Sequence, residues 1–414
     1  MAIRRIRIRA LGSAVGVAAL AGSALVSAGA AQGDPSASIT PVLGGLAAPR
    51  GIAFDRQGSM YVSESGVAGN GPAGLTQTGK VSKYPWGSTT PAWTTGFNSL
   101  YVTEDPSQPP DVLGPEGLSA MGNGCTRPHQ GEHHGCQLMM ITSESTPGVL
   151  AATGGAVNDP QAGHLYRLNG ATGAATSKSD VGSQMYKWTG DHSTLFPDDF
   201  PDSNPYGVLV TRTPHRDAHH VAARDAHHRG RHGTRTFVAD AGANTISEIM
   251  PSGKARVVAY IPNENFGAFR DSTPTCIAQG PDGYLYVGTL DFVSNLFTPG
   301  TGGLSRVWRV NPNAKFPTKP TVWATGLTTI TSCTFDRHGN FWAAEMFAGG
   351  LTANPPGDIV RIPFAHPNHQ VHFGSGQLPL PGGIAQGPDG AMYVTVGSSA
   401  PGVNGGVMRV AVNH

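Results

Sequence analysis

A sequence unit that recurs along the chain constrains the fold more than any other feature. Clear copies cover residues 49–66, 274–291, 330–347 and 381–398. Two degenerate copies begin at Glu116 and Pro205, which brings the number of copies to six. Regular recurrence indicates that one supersecondary unit is used repeatedly, because no single unit of this size buries an apolar core by itself.

Each copy has the pattern of a β-hairpin followed by two further strands. In the clearest copy, an apolar strand meets the turn Pro281-Asp282-Gly283, and the alternating strand YLYVGT follows. Asp-Gly favours a tight hairpin because glycine tolerates a positive φ. A glycine-rich loop then leads to a third strand, LSRVWRVN, and TVWATGL at 321–327 reads as a fourth. Four antiparallel strands per unit predict an all-β fold, a six-bladed β-propeller.

The ends of the repeat region predict how the ring closes. The last copy stops after its third strand at Val412, and residues 38–46 match the pattern of a fourth strand. An N-terminal strand that completes the sixth blade would remove an exposed sheet edge. The alternatives are an open solenoid and a β-sandwich. We assign the propeller to residues 38–414, with insertions at 121–135 and 213–233 in the second and third blades.

The N-terminus has the features of an export signal. Its first nine residues include four arginines, an apolar run rich in alanine and glycine follows, and Ala28-Gly29-Ala30 supplies a cleavage site. We interpret residues 1–30 as a cleaved signal peptide and 31–37 as a short linker, so the mature protein is expected to be secreted, without a membrane span. The alternative is an uncleaved anchor, although the run is weakly hydrophobic for a span of about 20 residues.

The charge balance argues against two classes of partner. The formal net charge is +1 and 13% of the residues are charged, which gives no electrostatic footprint for nucleic acid or a membrane surface. The chain also lacks a G-x-S-x-G nucleophile motif and a P-loop, so the sequence does not favour an enzyme. We expect a monomer whose partner is a small molecule, a glycan or another protein.

The four cysteines predict two disulfide bonds. An exported chain favours disulfides, and four cysteines allow three pairings. Cys125 and Cys136 bracket one insertion at its strand boundaries, which favours pairing them. Cys276 and Cys333 both lie on the first strand of adjacent predicted blades, which favours the second pair.

Several phrases of the chain resemble one known family. FPDSNPYGVLV at 200–210, PDGYLYVGTL, VWRVNP and TVWATGLTTIT are similar to the ScyD/ScyE family, exported propellers first named from scytonemin pigment clusters. The resemblance covers nearly the whole mature chain. The PDG-x-LYV unit is shared with many propellers, including NHL-type ones, whereas DSNPYG is more specific. The resemblance implies the six-bladed fold and leaves the activity open, because the family has no settled one.

The predicted ligand-binding residues lie on one face of the ring. We letter the strands of a blade A to D in chain order, so that the long B–C and D–A loops share one face and function is expected there. Five polar residues end B strands or precede A strands on that face, namely Glu64, Glu116, Asn204, Asp240 and Glu345.

Three of these five residues resemble ion ligands. Six-bladed gluconolactonase-like and strictosidine-synthase-like proteins hold a divalent cation at similar stations, which implies that Glu116, Asn204 and Asp240 bind one here. A divalent cation is therefore the cofactor that this resemblance implies. The alternatives are that the side chains cap loops and strand ends or are solvated. The leading hypothesis is therefore a binding or scaffold protein, and the alternative is a metal-assisted hydrolase or lactonase.

The insertions are rich in histidine. RDAHHVAARDAHHRGRHG at 216–233 and GNGCTRPHQGEHHGC in the second blade both fall between A and B strands, on the face opposite the long loops. Imidazole suits zinc, copper or nickel, so one interpretation is a metal-binding segment. The abundant arginines and the lack of an apolar face favour the other interpretation, a mobile polar loop.

Overall fold

The computed structural model describes residues 37–67, 74–102, 111–121, 137–195, 201–212, 234–263, 271–297, 303–350, 353, 355–399 and 402–412. Several predicted features lie outside these residues, namely the signal peptide, the linker up to residue 36, Cys125, Cys136 and both insertions other than Met121. What the sequence predicts for these features therefore stays a prediction.

The described strands form six sheets, which we number as blades from the first sequence copy. Strand β1 (Ala37–Leu46) comes first in the chain. Blade 1 contains β2 (Pro49–Phe54), β3 (Met60–Glu64), β4 (Leu75–Tyr84), β5 (Trp93–Val102) and the short β6 (Asp111–Leu113). Blade 2 contains β7 (Pro115–Met121), β8 (Gln137–Thr142), β9 (His164–Leu168) and β10 (Ala175–Asp180). Blade 3 contains β11 (Pro205–Arg212), β12 (Thr234–Asp240), β13 (Thr245–Ile249) and β14 (Ala255–Tyr260).

The remaining blades follow the same order. Blade 4 contains β15 (Pro274–Gln279), β16 (Leu285–Thr289), β17 (Ser305–Val310) and β18 (Thr321–Leu327). Blade 5 contains β19 (Ile330–Phe335), β20 (Phe341–Glu345), β21 (Gly357–Ile362) and β22 (Val371–Leu378). Blade 6 contains β23 (Ile384–Gln386), β24 (Met392–Val396) and β25 (Gly405–Val412), with β1 as its outermost strand. Every strand pair is antiparallel, so the predicted six-bladed propeller is confirmed; blade 1 carries β6 as an additional edge strand.

The ring closes as the sequence predicts. Strand β1 pairs with β25 in a register that runs from Ala37 opposite Val412 to Leu46 opposite Gly405. The last strand of the described chain therefore finds its partner in the first, and the edge that β25 would expose is covered.

Within the described residues, three helices and one 3-10 turn interrupt the strands. Helix α1 (Thr146–Ala152) begins after Ser145, whose side chain accepts a hydrogen bond from the Gly148 amide. Helix α2 (Val181–Asp191) begins after Asp180, which caps the Ser183 amide, and a 3-10 turn at Ser193–Leu195 follows. Such side-chain caps satisfy amides that the helix itself leaves unpaired. Helix α3 (Phe292–Phe297) lies in the B–C loop of blade 4. Among the described residues, no helix is long and apolar enough to cross a membrane.

Apolar clusters between neighbouring blades hold the ring together. Six large clusters are each shared by two adjacent blades; the one between blades 1 and 2 contains Tyr61, Phe97 and Met140. Each blade therefore buries one face against the blade before it and the other against the blade after it. Because burial of apolar surface is the main stabilising term, a single blade is not expected to fold alone.

The A strands approach one another closely around the axis. A Cβ atom at Gly51 would lie 2.5 Å from the Glu116 carbonyl oxygen, and one at Gly117 would lie 2.5 Å from that of Tyr206. At these two positions glycine therefore allows neighbouring backbones to meet. In blades 4 and 5 the A strands are joined by the Cys276–Cys333 disulfide, with Cα atoms 5.6 Å apart. This pairing confirms the sequence prediction.

The flanking strands fix where the two insertions attach. Met121 at the end of β7 pairs with Gln137 at the start of β8, and Arg212 at the end of β11 pairs with Thr234 at the start of β12. The segments 122–136 and 213–233 therefore join A strands to B strands, in the place of the short A–B turns of the other blades.

Candidate functional site

A cavity of about 450 Å³ lies on the axis of the ring. Its lining comes from the A strands of all six blades, so the cavity is the central channel of the propeller. Arg50 and Glu116, near the starts of their A strands, line it on the side of the B–C and D–A loops. The cavity is lined on the side of the A–B turns by residues at or next to the ends of their strands, namely Phe54, Met121, Thr211, Gln279, Phe335 and Gln386.

A buried ion pair stands at one end of this channel. Arg50 Nε lies 3.8 Å from Glu116 Oε1, and both side chains are 2% exposed. Arg50 Nη2 also donates a hydrogen bond to the Val112 carbonyl, and Ser65 Oγ donates one to Glu116 Oε1 at 3.3 Å. Two charges removed from water are costly unless they are paired, and here the two buried charges lie next to each other.

Carboxylates at the ends of B strands fasten the D–A loops. The Ala47 amide donates to Glu64 Oε2 at 2.8 Å, the Asn204 amide donates to Asp240 Oδ1 at 2.8 Å, and the Thr328 amide donates to Glu345. In each case the donor belongs to the segment that leads into the A strand of the same blade. These contacts agree with the alternative in which the side chains cap loops and strand ends.

Burial perturbs the acidity of these carboxylates. It raises the pKa of Glu64, against the opposing effects of the Ala47 amide and of Lys80. It raises the pKa of Asp240 to about 6, although Ser203 and several backbone amides lower it by hydrogen bonding. The buried Asp240 therefore prefers its neutral form more than an exposed aspartate does.

The structure brings two of the three predicted cation ligands together. Besides the amide contact, Ser203 Oγ donates to Asp240 Oδ2 at 2.7 Å, and the Glu144 amide donates to Asn204 Oδ1 at 2.9 Å. Burial, together with the charge of Asp202, raises the pKa of Glu144 well above its usual value. Glu116, the third predicted ligand, pairs instead with Arg50, whose positive charge opposes a cation.

A second cluster lies around Glu345 in blade 5. His372 Nδ1 lies 3.0 Å from Asp358 Oδ2 and 3.4 Å from Glu345 Oε2. Asp358 is the second residue of the C strand of this blade, and His372 lies on its D strand. Burial, followed by the negative charge of Asp358, raises the pKa of Glu345 well above its usual value. Within the described residues, this is the one group of His, Cys, Asp and Glu whose ligand atoms all lie within 4.8 Å of one another.

The five sequence-predicted residues therefore occupy different environments. Of the five, Glu116 alone is among the residues that line the central cavity. Glu64 contacts Lys80, Asn204 contacts Asp240 and Glu144, and Glu345 belongs to the blade 5 cluster. Sequence analysis missed Arg50, Asp358 and His372. The signal for Asp358 was its position at the start of GDIVRI, where a C strand begins opposite the end of a B strand.

Comparisons with known proteins give structural likenesses only. No protein-family model and no curated protein matches the chain. A luciferin-regenerating enzyme is 13% identical, with 91% of this chain and 95% of that one covered and a TM-score of 0.45. Virginiamycin B lyase from Staphylococcus aureus is 14% identical, with 87% and 82% covered and a TM-score of 0.42. Regucalcin from Agrobacterium tumefaciens, a calcium-binding protein, is 13% identical, with 90% and 93% covered and a TM-score of 0.43.

Likenesses at this level carry no argument about function. The six-bladed fold of this chain rests on its own strand pairing and ring closure.

Proposed function

We propose that this protein is an exported propeller of the ScyD/ScyE family that binds a small ligand at its central channel, on the face of the B–C and D–A loops. The observation that carries the proposal is the axial cavity with the buried Arg50–Glu116 pair. Cavities of roughly 300–1,000 Å³ with a few convergent polar groups are typical of small-molecule sites. In this proposal the pair orients a polar or charged group of the ligand.

Export is part of the same proposal. Residues 1–30 would be removed as a signal peptide, and the oxidised Cys276–Cys333 pair is consistent with an oxidising compartment. Mass spectrometry of protein recovered from the culture medium should give a mature chain that begins after Ala30. A full-length chain that stays with the cells would contradict export.

A plug in the channel tests the binding site. Thr334 lines the channel on β19, so Thr334→Trp places an indole in the cavity. Thr321→Trp is the matched control because Thr321 is exposed on the outermost strand of blade 4. A thermal-shift screen of small metabolites and short glycans should find compounds that stabilise the wild type, by about 2.7 kcal/mol when present at 100 times Kd.

The two variants separate channel binding from binding elsewhere. Stabilisation should be kept in Thr321→Trp and lost in a folded Thr334→Trp. Equal stabilisation of both variants would place the site outside the channel. If Thr334→Trp does not fold, Glu116→Gln replaces it, and an unchanged affinity in that variant would count against the role of the ion pair.

The alternative is a metal-assisted hydrolase or lactonase centred on Asn204 and Asp240. The observation in its favour is that the side chains of Asn204 and Asp240 are buried beside each other, with the buried Glu144 next to Asn204. Lactonase activity that EDTA abolishes and a divalent cation restores would favour this alternative. Activity unaffected by EDTA and by Asp240→Asn would exclude it.

A further inference from the structure

We propose that Glu345, Asp358 and His372 form a binding site for a divalent transition-metal ion, with Zn²⁺ as the best-fitting one. The site lies within blade 5, between the end of its B strand, the start of its C strand and its D strand. It is separate from the central cavity, because none of the three residues is among the residues that line that cavity. The proposal does not depend on the proposed ligand-binding function.

The spacing of the three side chains fits a coordination sphere. His372 Nδ1 lies 3.0 Å from Asp358 Oδ2 and 3.4 Å from Glu345 Oε2. With metal–ligand bonds of about 2.0–2.1 Å, neighbouring ligand atoms are about 3.0 Å apart in an octahedron and about 3.4 Å apart in a tetrahedron. Both distances from His372 therefore match those between neighbouring ligands of one ion, and all three donors lie within 4.8 Å of one another.

Two carboxylate oxygens of the cluster are buried without hydrogen-bond partners. They are Glu345 Oε2, the oxygen that faces His372, and Asp358 Oδ1. The side chains of Glu345 and Asp358 are 1% and 4% exposed. Buried carboxylate oxygens are nearly always satisfied, because an unsatisfied one costs the full desolvation energy. A bound cation would satisfy them.

The repeat supplies an internal comparison. In blade 1 the equivalent carboxylate, Glu64, stands opposite Lys80, whose Nζ lies 3.3 Å from Glu64 Oε2. In blade 5, Glu345 stands opposite Asp358. Both glutamates accept a hydrogen bond from the D–A segment before them, so the stations are structurally equivalent. The glutamate and its amide contact are therefore the same in the two blades, whereas the residue opposite the glutamate differs.

The substitution of Asp for Lys at this station changes the charge of the cluster. Like charges opposite one another in a strand pair are destabilising. Blade 1 balances its glutamate with the ammonium of Lys80, whereas blade 5 has two carboxylates and adds His372. Among the six B-strand ends, carboxylates occur in blades 1, 3 and 5, and Asp240 in blade 3 stands opposite Thr245. A divalent cation compensates the two carboxylates in blade 5.

The donor set indicates which class of ion fits. An imidazole nitrogen with carboxylate oxygens is a ligand set for zinc and related transition metals, whereas calcium and magnesium prefer oxygen alone. The Thr328 amide holds Glu345, and Ser375 Oγ donates to Asp358 Oδ2 at 3.1 Å, so both carboxylates are oriented by second contacts. His372 is 38% exposed, which gives an ion access from solvent.

Zinc titration of the full mature protein, stripped with EDTA and dialysed, tests the site. Histidines elsewhere in the chain can also bind zinc, so the decisive quantity is the difference between variants. Isothermal titration should show one equivalent in the wild type that is lost, or weakened at least 10-fold, in His372→Ala. His369→Ala is the matched control because His369 is exposed in the turn before β22, and it should bind as the wild type does.

A second variant rebuilds the arrangement of blade 1. Asp358→Lys should lose the same equivalent, and its melting temperature without metal should exceed that of the stripped wild type because it restores a Glu–Lys pair. Zinc should raise the melting temperature of the wild type and of His369→Ala only. Equal stoichiometry and affinity in the wild type, His372→Ala and Asp358→Lys would overturn the proposal. If His372→Ala does not fold, Asp358→Asn takes its place with the same expected loss.

Discussion

The disulfide between blades 4 and 5 makes a quantitative prediction possible. Cys276 and Cys333 are 57 residues apart in sequence, and their bond closes that loop in the unfolded chain. In the chain-entropy model, a loop of this length corresponds to about 14 cal/mol/K, or about 4 kcal/mol at 25 °C. Both residues are buried in an apolar cluster, so Cys276→Ala/Cys333→Ala removes the crosslink without introducing a buried polar group.

The double variant should therefore unfold more easily than the wild type. With an unfolding entropy of about 2.1 cal/mol/K per residue, 4 kcal/mol corresponds to a fall of about 5 °C in a propeller of this size. Guanidinium unfolding followed by tryptophan fluorescence gives the free energy and calorimetry gives the midpoint, both under non-reducing conditions. A loss below about 1 kcal/mol would refute the reasoning, since the A strands would then hold the ring together without the crosslink.

Three further predictions follow from the geometry of the ring. Gly51→Ala should destabilise the protein by about 1–3 kcal/mol in chemical unfolding, because the new Cβ would lie 2.5 Å from the Glu116 carbonyl oxygen. Gly44→Ala is the control and should have little effect, because no atom lies within 4 Å of its Cβ. Equal effects of the two substitutions would refute the close approach of the A strands. Burial raises the pKa of Asp240 to about 6 in the folded state, above its value in the unfolded chain. Protonated Asp240 therefore adds to the free energy of unfolding below about pH 4, and this stabilisation is lost as the pH rises through about 6. The unfolding free energy should fall by up to about 3 kcal/mol across that window, and this part of the slope should be absent in Asp240→Asn. Replacing residues 213–233 by a short turn between Arg212 and Thr234, which already pair, should leave the melting temperature nearly unchanged; a large EDTA-sensitive loss in the wild type alone would favour a metal site in that segment.

The repeat made the scaffold predictable. Alternating strands around Asp-Gly turns indicate hairpins locally, and six copies leave few ways to bury their apolar faces other than a ring. The match between residues 38–46 and a D strand predicted the closure that β1 makes with β25. The Cys276–Cys333 pairing followed from the same alignment, because both cysteines fall on A strands of adjacent blades.

The candidate sites were harder to predict because they depend on register between strands that are distant in sequence. Arg50 meets Glu116 across two blades, 66 residues apart. Asp358 meets Glu345 only because the strands pair in that register across an intervening loop, and His372 reaches them from the D strand. The start of GDIVRI marks the position of Asp358, but no sequence signal indicates that His372 reaches it from the D strand.

A crystal structure with a bound compound tests the central claim most directly. The compound to use is the one that raises the melting temperature of the wild type most and has no effect on Thr334→Trp. The account predicts density for it in the channel, in contact with A strands of several blades and with Arg50 or Glu116. Density for the compound on the outer strands, with only water in the channel, would contradict the account.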